Sequence, residues 1–60
     1  MRRTELEAAL KERGWGPTGQ ASGTRHTLWR HARRRRPLAV PNEELILDSI
    51  AEALIADAEG

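Results

Sequence analysis

Leu6, Ala9 and Leu10 recur at helical spacing near the start of the chain and give one apolar stripe. Thr4 followed three residues later by Glu7 has the form of a capping box, in which each side chain bonds the other's free backbone amide. Gly14 is placed to take the left-handed conformation that ends a helix, so the first helix is predicted over 4–13. Trp15 to Gly23 hold three glycines and one proline, which predicts a short strand or turn and then a mobile loop. Arg25–His31 is a better strand, with Thr27, Leu28 and Trp29 all favoured on a pleated surface. Leu38, Ala39 and Val40 form a short third strand between Pro37 and Pro41, neither of which can donate a ladder hydrogen bond. The link over 32–36 has no glycine or asparagine for a tight hairpin turn, and is expected to be exposed and flexible. Asn42 then suits a helix cap, with Glu43 and Glu44 at the positive end of the helix dipole. Leu47, Ile50, Ala51, Leu54 and Ala58 continue at helical spacing, and Ile46, Ala53 and Ile55 widen that stripe beyond what a small sheet easily covers.

The order α-β-β-β-α predicts one α+β domain over 1–60, a three-stranded antiparallel sheet with two helices on one face. A chain of this size buries only roughly 60% of the surface its unfolded form exposes, so a partner or a second copy is expected to add stability. The apolar excess of the last helix suggests where a homodimer would form. With no cysteine in the chain there is no disulfide and no thiolate metal site, and the usage fits a reducing cytosol. The charged start, with Arg2, Arg3, Glu5 and Glu7, is unlike a signal peptide, and no apolar run approaches the ~20 residues of a membrane span.

The formal net charge of +1 hides a sharp asymmetry. Arg13 to Arg36 carry seven arginines and no acid, whereas Pro37 to Gly60 carry six carboxylates and no lysine or arginine. Both histidines, His26 and His31, lie inside the basic segment, which points to an anionic partner. In a regular strand His26, Leu28 and Arg30 share one face, and Thr27, Trp29 and His31 share the other. The two histidines therefore cannot form one acid–base pair, nor supply the three convergent ligands a metal needs. Trp15 and Trp29 are expected in the core. Arg33, Arg34, Arg35 and Arg36 together favour phosphate binding, because each neutralised phosphate releases counterions.

Gly14-Trp15, then Arg25-His26-Thr27-Leu28-Trp29 trailed by Arg30-His31, then Val40-Pro41 follow one another over most of the chain. This order resembles the HicA family of toxins, small RNA-cleaving proteins of bacterial toxin–antitoxin pairs. Ile46, Asp48, Ile50, Ala51, Leu54 and Asp57 also fall where one branch of that family has similar residues. The resemblance implies a fold like a double-stranded RNA-binding domain and an mRNA interferase, an endoribonuclease that needs neither metal nor cofactor. It places the catalytic role on His26 alone, and implies a HicB-like antitoxin that covers the basic site. Family members commonly have a basic residue after the valine-proline step and a basic last helix. Here Asn42, Glu43, Glu52, Ala53 and Ala56 stand instead, so the RNA surface would come from the strands, the hairpin and the first helix.

The chemistry is consistent with that role. Histidine exchanges protons near neutrality, and a guanidinium offers paired donors to phosphate oxygens. His26 would act as general acid or base, with Arg25, Arg30 and Arg33–Arg36 binding phosphate. The alternative is a non-catalytic module that grips RNA or DNA through the same basic segment.

Overall fold

The computed structural model describes residues 1–60 and contains the expected order of elements. They are α1 (Arg3–Glu12), β1 (Trp15–Ser22), β2 (His26–His31), β3 (Leu38–Pro41) and α2 (Asp48–Glu59). The strands form one antiparallel sheet in the order β1-β2-β3, so β2 is central. Leu6 and Leu10 of α1 and Ala51 and Ala58 of α2 meet Trp15, Trp29, Leu38 and Val40 of the sheet, with Ile46 closing the cluster. Both helices thus cover one face and leave the other open. The small Ala51 and Ala58 let α2 lie close to the sheet, and the Trp15 indole N–H donates to the Ala58 carbonyl (3.3 Å). The Lys11 ammonium lies 6.0 Å from the Trp29 ring, its stem extending the cover over this face. No helix is long and apolar enough to cross a membrane.

Beyond shifts of one residue at strand and helix ends, three differences from the sequence expectation matter for the fold. α1 begins at Arg3, one residue before Thr4, with Arg2 as a cap that makes no side-chain bond. The Thr4–Glu7 capping box does not form, and Glu7 instead lies 3.9 Å from the Arg3 guanidinium, one turn away. α2 begins at Asp48 rather than beside Asn42, with Leu47 as its cap. Asn42, Glu43 and Glu44 lie on an extended connection that pairs with the N-terminal residues: Arg3 N–H donates to Glu44 (2.9 Å) and Ile46 N–H to Met1 (2.8 Å). Asp48 accepts from the Met1 ammonium at 2.7 Å, and that charge-assisted bond lowers its pKa. With Ile46 already in the core ahead of the helix, Leu47 and Ile50 of the expected stripe turn outward, while Leu54 packs against the core as expected and Ile55 joins it.

β1 is the third difference. Residues read as a mobile loop continue the strand to Ser22. Pro17 pairs with Trp29 and Ala21 with Thr27, so Thr18, Gly19 and Gln20 together face the single residue Leu28. Gly19 takes φ +77°, and the Thr18 hydroxyl donates to the Leu28 carbonyl (2.9 Å) while accepting the Gln20 N–H (3.0 Å). These bonds replace the ladder interrupted by the bulge. Two extra residues preserve the alternation, so Gly16 and Ser22 both stay on the open face.

Candidate active site and arginine surface

The bulge falls in β1, and β2 runs unbroken from His26 to His31. The alternation read from the sequence therefore holds. Trp29 is buried on the helix-covered face, and His26, Leu28 and Arg30 stand on the open one. His26 lies opposite Ser22 of β1 and Pro41 of β3, and Arg30 lies opposite Gly16. Open space above Gly16, where a side chain would otherwise stand, leaves this face accessible beside Arg30.

The two histidines have different surroundings. His31 accepts the Arg33 N–H at Nδ1 (2.9 Å), and its ring lies 5.4 Å from that of Trp15. A Cβ at Gly14 would come within 2.7 Å of its Nε2, so the helix-ending glycine, at φ +89°, also makes room for this ring. His26 is half-buried, and no hydrogen bond engages either of its ring nitrogens. No buried polar side-chain atom in the chain lacks a partner, so both nitrogens reach solvent. His26 thus has both ring nitrogens unengaged, whereas His31 has only Nε2 without a partner.

Asn42 holds the backbone around it. Its N–H donates to the Arg25 carbonyl (2.8 Å) and its Oδ1 accepts from the Thr27 hydroxyl (2.7 Å), so it bonds the residues on both sides of His26. Its carbonyl accepts from the Arg3 guanidinium, which ties this node to α1. Sequence reasoning assigned Asn42 to a helix cap and missed this role. Its place one residue beyond the β3 end was the available signal. Asn42→Ala should lose about 0.5–1.5 kcal/mol of stability through the missing acceptor, measurable by urea denaturation; an unchanged midpoint would remove the bond's significance.

The arginines divide into two groups. Arg25 is adjacent to His26, and Arg30 is on the same face about 13 Å along the strand, at roughly 3.3 Å per residue. Arg33, Arg34, Arg35 and Arg36 follow the other end of β2, beyond His31, which is about 17 Å from His26 on the same rise. The fold does not bring this cluster to the histidine. The loop is exposed but anchored: Arg34 N–H donates to the His31 carbonyl (3.0 Å), and the Arg34 guanidinium to the Glu59 carbonyl at the end of α2 (3.2 Å). None of these six arginines is in an ion pair; the three pairs present use Met1, Arg3 and Arg13. No three histidine or carboxylate side chains converge in the chain.

Compared with protein-family models, curated proteins and solved structures, the chain matched none.

Proposed function

We propose that the protein is the toxin of a type II toxin–antitoxin pair, a metal-independent endoribonuclease acting on cytoplasmic mRNA, as its resemblance to the HicA family implies. The observation that carries this reading is the pair of unengaged nitrogens on His26, which stands on the uncovered sheet face and directly follows Arg25 in the chain. The imidazole would take the ribose 2′-hydroxyl proton as its oxygen attacks phosphorus, or give a proton to the departing 5′-oxygen. A guanidinium would stabilise the charge growing on the phosphate oxygens. A requirement for the 2′-hydroxyl confines the reaction to RNA. Incubation of the purified protein with mRNA in a chelator should yield discrete fragments, while a DNA of the same sequence stays intact. Intact RNA under those conditions would overturn the reading.

A HicB-like antitoxin would silence the enzyme by covering the basic surface. Leu45 and Leu47, 68% and 70% exposed, and the outward Ile50 of α2 offer apolar area to such a protein, or to a second copy meeting through the last helix.

The separation of Arg33–Arg36 from His26 favours a second reading, a non-catalytic module that grips nucleic acid. Replacing these four arginines by glutamine should weaken RNA binding at low salt. It should also reduce the slope of log K against log salt by about 0.7 for each single-strand phosphate that the variant leaves unneutralised. A slope equal to that of the wild type, measured by fluorescence anisotropy, would exclude the loop from the interface.

A further inference from the structure

The β2–β3 loop and α2 enclose a groove of about 400 Å³, with Arg34, Arg35, Arg36, Pro37 and Leu38 on one side and Asp57 on the other. That volume lies within the range of small-molecule sites, roughly 300–1,000 Å³. Arg34 is already committed to the Glu59 carbonyl, which fixes the loop against α2. Arg35 and Arg36 are exposed, and neither is in an ion pair although Asp57 lines the same groove. Asp57 is exposed and unpaired as well. The groove therefore presents two free guanidiniums to an anion and one free carboxylate to hydrogen-bond donors. A polyphosphate would satisfy the first and be repelled by the second. A phosphate joined to a sugar or base with hydroxyl or amino donors satisfies both.

We propose that this groove binds one nucleotide unit of RNA, its phosphate on Arg35 and Arg36 and its ribose hydroxyls donating to Asp57. Pro37 and Leu38 form the apolar wall for the rest of the nucleotide. The proposal rests on the reading that the protein's ligand is RNA. It adds a gripping site at the end of β2 opposite His26, apart from the bond to be cut.

Adenosine 5′-monophosphate, inorganic phosphate and adenosine, titrated separately and followed by amide shifts of residues 33–38 and 57, test it. The monophosphate should bind about tenfold tighter than either fragment, and Arg35→Ala/Arg36→Ala should weaken it by about tenfold or more. Asp57→Asn should narrow the preference for the nucleotide over phosphate without weakening phosphate. These side chains are exposed, and retained cooperative unfolding confirms that the variants fold. A nucleotide that binds no tighter than inorganic phosphate, or equally well to the double arginine variant, overturns the proposal. His26→Ala should keep nucleotide binding. Nucleotide binding by a wild type that cleaves no RNA supports the groove and overturns only the enzymatic reading. RNA cleavage with no nucleotide bound in the groove overturns only the groove.

Discussion

His26→Ala is expected to slow RNA cleavage by about 10²–10⁴-fold, the usual contribution of one positioned acid or base. RNA affinity and the unfolding midpoint should change little, since the side chain is half-buried, makes no hydrogen bond and stands on the uncovered face. The natural comparison is His31→Ala. That change removes the acceptor for Arg33 N–H and the ring beside Trp15, so its effect should be on stability more than on rate. The opposite split, with the rate following His31 and the stability following His26, would reverse the assignment. Equal rates for His26→Ala and wild type in a chelator would remove His26 from the chemistry altogether.

Trp29→Ala should leave the chain largely unfolded at room temperature. The side chain is 2% exposed, at the centre of the middle strand, with Pro17 and Leu38 as its cross-strand partners. Truncating a buried tryptophan costs about 3–5 kcal/mol, and a single core in a domain this small supplies about the same. Leu28→Ala, one residue earlier and on the open face, is the control: it should keep a cooperative transition with a modest shift. Circular dichroism against urea separates the two. A native-like midpoint for Trp29→Ala would show that the core does not depend on β2.

The parts of the fold legible in the sequence are those where local chemistry and tertiary need agree. Thr27, Leu28 and Trp29 favour a strand and occupy one, and the prolines fence β3 as expected, with Pro41 as its last residue. Gly14 ends α1 in the left-handed region. β1 was hidden because glycine, proline, glutamine and serine carry almost no strand preference. Pairing with β2 and the Thr18 hydroxyl hold it instead, and neither leaves a periodic trace. The start of α2 was misread because Asn42 has a capping side chain whose oxygen is taken by Thr27, a partner fifteen residues away in sequence. For the site, alternation along β2 separated the histidines and put Arg30 on the face of His26, though about 13 Å along the strand from it. The position of Arg33–Arg36 depends on where the loop anchors, through His31 and Glu59, which no local pattern encodes.

The short pairing of Met1–Arg3 with Glu44–Ile46 joins segments more than forty residues apart. Closing so long a loop has an entropic cost that the two amide bonds and the bonds of the Met1 ammonium to the Ile46 carbonyl and Asp48 do not offset alone, so this clasp should form after the sheet and helices have assembled. It should also open without them. The Arg3 and Ile46 amides would then exchange with deuterium by local fraying, faster than the Trp29 and Val40 amides in the sheet. Such fraying would free the connection that carries Leu45 and Leu47. A protein that docks there would therefore meet a segment already loosened for pairing, while β2 stays closed beside it.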